Sequence, residues 1–336
     1  MSKKKIAIFL PVMAVAILLL IMTNRKTPAY RQNTGMVFGT VYSITYQYDE
    51  DLKGEIEKVL ASVDNSLSPF NDKSVITKVN NAEGNVAVDE MFTDVFTLAE
   101  KVSKDTEGAF DITVAPLVNL WGFGFKTGEM PTDQKVDSLL ETVGYEKVSL
   151  VDGKVVKADK RVMLDCSAIA KGYAVDAVAN MLHGKGIENF IVEIGGEIVA
   201  CGVNKESKDW RIGVTKPDDD SLNVQNELQT VIRISNMAMA TSGNYRNFYY
   251  RDGKKYAHTI DPKTGHPIQH SLLSATVISD NCAKADAYAT SFMVMGMEKA
   301  KDVLKRHKEM MAYFIYSDDE GNNKVWYSEG MKKIIQ

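Results

Sequence analysis

The 336-residue sequence is short of cysteine, with three, and of proline, with eight. Cys166, Cys201 and Cys282 are too few and too scattered for a disulfide framework or a zinc site, so they read as small buried residues. Charge of one sign is lacking too, the formal net charge being −4. That excludes the broad cationic excess of a nucleic-acid binder and leaves any phosphate recognition to local features. Beyond residue 30 there is no low-complexity tract, no linker rich in Pro or Gly and no short-period repeat. No cysteine follows the N-terminal apolar run, so it is not a lipoprotein signal, and it has no clean small-x-small cleavage site.

What is present is ordinary globular composition, 45% hydrophobic and 25% charged, in a chain long enough to bury a sizeable core. Lys3, Lys4 and Lys5 precede the apolar run at residues 6–22, and Asn24, Arg25 and Lys26 follow it. As a helix this run reaches roughly 25 Å, the lower limit for crossing a bilayer, with Pro11 tolerable near its start. The expectation is an uncleaved signal or membrane anchor over residues 1–29 and one domain over residues 30–336 outside the cytoplasm.

Both hydrophobic periods occur in that domain. Residues 37–48 alternate like a strand, whereas Leu52, Ile56, Val59, Leu60, Val63 and Leu67 recur at helical spacing. Residues 92–104 and 136–143 read as helices, the second introduced by Pro131, Thr132 and Asp133. Val151, Asp152, Gly153 and Lys154 signal a hairpin, and a helix over residues 170–183 ends at Gly184. Strands follow at residues 190–201, 211–215, 230–234, 248–250, 256–260 and 274–279, then a helix pair and a terminal hairpin formed by residues 311–316 and 324–327. Helices and strands in blocks, without strict alternation, predict an α+β domain with mixed, largely antiparallel sheets and packed helices.

Several clusters are candidates for chemistry. Asp286 and Thr290 stand four apart on a predicted helix, which puts a carboxylate and a hydroxyl on one face. They form half of an oxygen site for a hard cation such as Mg2+, or else a local hydrogen bond on a solvated face. Residues 165–176, DCSAIAKGYAVD, join a strand to a helix whose first N–H groups favour an anion, unless Ser167 simply caps an ordinary turn. Gly195 and Gly196 interrupt a strand-like run, as a bulge or as a ligand face. His258 precedes the Asp261-Pro262-Lys263-Thr264-Gly265 turn at the end of a predicted strand, where an imidazole is a proton acceptor or a structural group. Trp121, Phe123 and Phe125 sit among glycines, as core packing or as the walls of a slot for a planar ring.

Eight blocks in this order resemble the ApbE family, the FAD:protein FMN transferases. They are Phe38-Gly39-Thr40, residues 68–80, GAFDITVAPLVNLWGFG, LDCSAIAKGYAVD, EIGGEI, ATSGNYRNF, AHTIDPKTGHPI and KADAYATSFMVMG. The resemblance implies a single ApbE-like, T-fold-like domain that splits the diphosphate of FAD with Mg2+ and joins FMN to a Thr or Ser hydroxyl of a target protein, releasing AMP. By position it implies a metal held by Asp286, Thr290 and the backbone carbonyl of Ala168. Flavin contacts would fall at Phe38, Phe70, Ala109, Phe110, Asp111, Asp165, Lys171 and Ile260, with His258 as the base that activates the acceptor hydroxyl. The implied acceptors are redox proteins of electron-transfer complexes. The implied location is the inner membrane, with the catalytic domain on the periplasmic or extracytoplasmic side and no nucleic-acid partner.

The chain departs from the family pattern in places. Phe38 replaces the usual Met, and Ser167-Ala168 replaces a Gly-Gly pair, so a contact that needs the first glycine's backbone angles is altered. Ala289 stands where some relatives carry a second acid, which leaves one metal carboxylate and predicts weak metal binding without FAD. Two other readings keep parts of the site: an FAD pyrophosphatase with water as acceptor, and a non-catalytic flavin-binding protein.

Overall fold

The computed structural model describes residues 28–124, 130–217, 228–244, 248–251 and 254–336. The expected N-terminal membrane segment, Phe125 and Tyr245 lie outside the described residues. Among the described residues no helix is long and apolar enough to cross a membrane.

The chain opens with a hairpin, β1 (Tyr30–Val37) and β2 (Thr40–Gln47), followed by α1 (Lys53–Leu67), α2 (Val75–Asn81), β3 (Val86–Ala87) and α3 (Glu90–Asp105). A 3₁₀ turn at Ile112–Val114 leads into α4 (Ala115–Leu120), and α5 (Asp133–Leu140) precedes the hairpin β4 (Val148–Val151) and β5 (Lys154–Lys157). Then come α6 (Ser167–Gly184), β6 (Phe190–Ile194), β7 (Glu197–Cys201), β8 (Trp210–Thr215), β9 (Leu228–Ile234) and β10 (Met237–Gly243). The chain ends with β11 (Phe248–Arg251), β12 (Lys254–Ala257), β13 (Leu272–Ser279), α7 (Cys282–Arg306), β14 (Met311–Ser317) and β15 (Asn323–Tyr327).

The central feature is an eight-stranded sheet in the order β1-β2-β6-β7-β10-β13-β14-β15, antiparallel at every pairing. One face carries the main core, in which Ile44, Tyr46, Val192, Ile194, Ala240 and Val277 meet Ile56, Leu60, Val95, Val175, Val178 and Phe292 of the helices. The other face packs Ile198, Met239, Ile278 and Ile315 under the β8–β9 hairpin through Trp210, Ile212 and Ile232. A smaller cluster of Leu117, Trp121, Val136, Val143 and Ile260 holds α4 and α5 beside the turn after β12. This is the α+β class with antiparallel sheets that the block pattern predicts.

Several boundaries differ from expectation for identifiable reasons. Residues 37–48 are not one strand, because Phe38 and Gly39 take positive φ of 51° and 72° and make a two-residue turn between β1 and β2. Residues 190–201 divide likewise: Gly195 (φ 65°) and Gly196 (φ 105°) are neither a bulge nor part of a strand but the hairpin turn joining Ile194 to Glu197. Strand β12 ends at Ala257, so His258 lies in the bend after it. Helix α6 begins at Ser167 and not at residue 170, and Ser167 does not cap it; its N–H donates to Asp165 Oδ1 at 2.8 Å. The helix pair expected near the C-terminus is present as the two halves of α7, which meet at a kink at Gly296 (φ 76°). There the His270 Nε2–H donates to the Met293 carbonyl at 2.7 Å, satisfying a group the break would strand. Strand β10 is a further element that the periodicity does not announce. All three cysteines are free and buried.

In the helical layer α6 and α7 approach closely. A Cβ on Gly172 would lie 2.5 Å from the Cys282 carbonyl oxygen and 2.7 Å from Ala283 Cα, so only glycine permits this spacing. The first half of α7 is consequently buried on nearly all sides, Cys282, Ala285, Asp286, Ala289, Phe292 and Met293 included. Such a helix belongs in a core, and a carboxylate there demands an explanation.

Candidate active site

A cavity of about 1480 Å3 opens between the sheet, the α6 and α7 N-termini and the loops around residues 38–40, 68–71, 109–124 and 258–262. Phe38, Phe70, Ala109, Phe110, Asp111, Asp165, Ala168, Lys171, His258, Ile260, Asp286 and Thr290 all line it. Residues as far apart in sequence as Phe38 and Thr290 thus face one space. What each can do there differs.

Asp286 is 3% exposed, and its Oδ2 accepts from the Gly172 N–H at 3.0 Å. In a regular helix that N–H faces the carbonyl of the residue four before it, which is Ala168. The Asp286 carboxylate therefore sits beside the opening turn of α6. Burial raises its pKa, and the Lys171 ammonium and the Gly172 N–H oppose the rise. One turn on, Thr290 Oγ1 shares a hydrogen bond of 3.0 Å with Ser242 Oγ of β10, which orients its hydroxyl toward the same cavity wall. Carboxylate, hydroxyl and helix-start carbonyl are hard oxygen donors, a set that fits Mg2+. Among the described residues no group of three or more His, Cys, Asp or Glu gathers, so a cation here would depend on this mixed set and on its ligand.

Lys171 forms an ion pair with Glu197 Oε1 at 2.5 Å. Burial works against its charge, but Asp286 and Glu197 outweigh burial and hold the ammonium protonated. Glu197 is 3% exposed, and burial pushes its pKa up to about 7 even though Lys171 pulls it down. Its other oxygen, Oε2, is buried with no hydrogen-bond partner. Glu197 follows a glycine turn and begins a strand buried at every position, an isolated acid before Ile198-Val199-Ala200-Cys201. That isolation is its signal in the sequence, which motif spacing does not single out. Ser242 carries no such signal, since a Ser in a strand announces nothing alone.

The remaining cavity residues fall into two kinds. Asp111 is buried and already occupied: Oδ1 accepts from Thr113 N–H and Oγ1–H at 2.8 and 2.6 Å, and Oδ2 from Tyr145 N–H at 2.8 Å. Burial still raises its pKa. Its carboxylate holds the loop in shape, and Asp165 does the same for the start of α6 through Ser167, at 2.8 Å to N–H and 2.5 Å to Oγ. Phe70, by contrast, is 66% exposed at the rim, where it presents an apolar ring to the cavity mouth. Phe123 lines the cavity edge-on to half-buried His258, ring centroids 6.4 Å apart, and stacks on Tyr249 at 5.3 Å. Trp121 is buried, with Nε1–H donating to the Gly265 carbonyl at 2.7 Å, so it is packing that fixes the turn after His258.

A large cavity with an acid–ammonium–acid floor and an apolar aromatic rim is the build of an enzyme for a large ligand that is part planar and part anionic. The chain matches the ApbE family over residues 38–315. Among curated relatives, the FAD:protein FMN transferase of Vibrio cholerae serotype O1 is 36% identical over 316 residues, covering 91% of this chain and 93% of that protein. That of Haemophilus influenzae is 36% identical over 326 residues, with 92% and 93% covered. The solved flavin transferase ApbE from Vibrio cholerae superposes with a TM-score of 0.83 at 35% identity, covering 91% of this chain and 99% of that one. The apo flavinyl transferase ApbE of Pseudomonas stutzeri superposes at 0.82 with 30% identity, covering 93% and 98%. The chain belongs to the ApbE family.

Proposed function

We propose that this enzyme is a Mg2+-dependent FAD:protein FMN transferase. The acceptor hydroxyl oxygen of a target Thr or Ser bonds to the FMN-side phosphorus, the bond from that phosphorus to the AMP oxygen breaks, and AMP leaves. The observation that carries this reading is the meeting in one cavity of Asp286, Thr290, Lys171 and His258 with the exposed ring of Phe70. Displacement at phosphorus asks a protein for charge neutralisation and alignment more than for covalent help. Mg2+ held by Asp286, Thr290 and the Ala168 carbonyl would supply the neutralisation. Lys171 presents a fixed ammonium to the diphosphate. Phe70 and Phe38 offer apolar surface to the flavin at the mouth. His258 stands at the cavity wall to take the proton from the incoming hydroxyl, an imidazole being suited to proton transfer near neutrality.

We place the catalytic domain outside the cytoplasm, tethered by residues 6–22, with redox proteins of membrane electron-transfer complexes as acceptors. The test incubates the full chain with FAD, Mg2+ and a candidate acceptor domain, read by intact mass and nucleotide chromatography. An acceptor heavier by one FMN with an equal amount of AMP is the expected result. FMN and AMP without labelling would turn the reading to a pyrophosphatase, and intact FAD would turn it to a binding protein. Asp286→Ala should cut turnover by about 10²-fold or more. His258→Ala should slow transfer with FAD binding largely kept.

A further inference from the structure

We propose that Glu197 is a positioning residue: it holds the Lys171 ammonium off Asp286 and thereby keeps that carboxylate for a divalent cation. The proposal rests on the reading of Asp286 as a cation ligand.

Lys171 projects from the first turns of α6 between two buried acids. It could neutralise either one. Its ion pair is with Glu197 Oε1 at 2.5 Å, while Asp286 lies outside ion-pair distance yet near enough for its charge to act on the ammonium. Asp286 instead takes a neutral N–H, that of Gly172, on one oxygen. The pairing is fixed by backbone. Gly195 and Gly196 turn the chain so that Glu197 opens a fully buried strand, and a side chain on Gly195 would come 2.9 Å from Thr40 Cγ2 and 3.4 Å from Glu197 Oε2.

Take Glu197 out and the charges reorganise. A buried ammonium without its partner seeks the nearest anion, which is Asp286. An Asp286–Lys171 pair is neutral, occupies the carboxylate and sets a cation beside the place a metal would go. With Glu197 present the lysine is paired elsewhere, and Asp286 stays clear of protein ion pairs, one oxygen taken by the Gly172 N–H. The second observation is Glu197 Oε2, buried on the cavity wall without a hydrogen-bond partner among the described residues. A buried carboxylate oxygen of this kind calls for a donor from water, an ion or a bound group. Asp286 is the one carboxylate in the half of α7 before Gly296, which makes its upkeep more consequential.

The test uses the full chain and Mn2+ alone, its binding followed by water-proton relaxation enhancement, beside thermal unfolding of each variant. Glu197→Gln, which keeps shape and loses charge, should weaken Mn2+ binding by about 10-fold or more. The double variant Glu197→Gln/Lys171→Met removes both charges and should return binding toward the wild-type value, a rescue no purely structural loss would give. Asp286→Ala should abolish binding. Glu197→Gln binding Mn2+ as well as wild type, with Asp286→Ala still deficient, would overturn the positioning role alone. A double variant as weak as Glu197→Gln would also overturn it, by making the defect structural. Wild type and Asp286→Ala binding Mn2+ alike would remove the cation reading of Asp286 and this proposal with it.

Discussion

The two halves of α7, on either side of Gly296, treat charge in opposite ways. Before the break, Asp286 is sealed in the domain, and the helix start is held by Asp176, whose Oδ1 and Oδ2 accept the N–H groups of Cys282 and Ala283 at 2.9 and 2.8 Å. Burial raises the pKa of Asp176 to about 6, with the two N–H groups opposing and Asp280 and Asp286 adding to the rise. After the break, Asp302, Lys305 and Arg306 face solvent, and Arg306 and His307 at the far end reach Asp105 at the end of α3, which also receives Tyr288 Oη–H at 2.9 Å from the half before the break. Burial pulls the pKa of Asp105 up, but those donors outweigh it and leave it lowered. On α7 itself the same residue type is costly to ionise at Asp286, whose pKa burial raises, and easy to ionise at exposed Asp302, whose pKa the Lys305 hydrogen bond lowers. Solvation, not sequence spacing, separates the half that can do chemistry from the half that only dissolves.

The largest break in that contrast should come from Gly172→Ala. In an exposed helix interior the change would gain about 1 kcal/mol of helix propensity. Here the new methyl meets backbone atoms at 2.5 and 2.7 Å, which cannot swing aside, so α6 and α7 must part. Overpacking of this kind costs about 1–3 kcal/mol or more, so the net effect is destabilising. It also pulls Asp286 from the Gly172 N–H. The expected outcome is a lowered Tm together with loss of flavin transfer. A Tm at or above wild type would mean that the helix contact is softer than its geometry.

A smaller and more diagnostic effect concerns pH. The folded pKa of Asp176, about 6, lies above its unfolded value near 3.9, so the folded state holds more protons between these values. Its contribution to stability is present in full below the unfolded value and is lost as pH rises through about 6. Asp105 works in reverse, its contribution being lost as pH falls through its lowered value. Asp176→Asn keeps one acceptor for two N–H groups and so loses stability at every pH, but it lacks the titration. The Tm gap between wild type and variant should be widest near pH 4 and narrow toward pH 7. A gap that widened with pH would show Asp176 to be stabilised as an anion, like Asp105.

Much of this contrast is written in the sequence, and the rest is not for physical reasons. The Asp286/Thr290 pair is legible because a four-residue step fixes two side chains on one face whatever surrounds them. The helix of Leu52 to Leu67 is legible for the same reason, all of its periodic apolar positions except Val59 being fully buried. The Phe38-Gly39 and Gly195-Gly196 turns were hidden inside alternating runs, because a two-residue hairpin interrupts the period without a visible gap. The Lys171–Glu197 ion pair joins residues 26 positions apart on a helix and a strand, and only the sheet order brings them together. Asp111 shows the converse: motif position marks it as a ligand contact, while its hydrogen bonds show a carboxylate spent on its own loop.

The smallest expected effect tests the surface half. Lys305 Nζ and Asp302 Oδ1 are 2.7 Å apart, with side chains 73% and 64% exposed. In water such a pair gains little from attraction, loses side-chain freedom, and is screened by salt within about 10 Å at 0.1 M. Asp302→Asn removes the charge and keeps the shape, so Tm should stay unchanged within error from low to high salt, and flavin transfer should be unaffected. Asp286→Asn, the same chemical change before the break, should halt transfer. If Asp302→Asn lowered Tm and salt abolished the difference, the outer half would be held by its charges after all. Burial would then no longer be what divides the helix, and Gly296 would have to be read as separating two electrostatic regions and not a core from a surface.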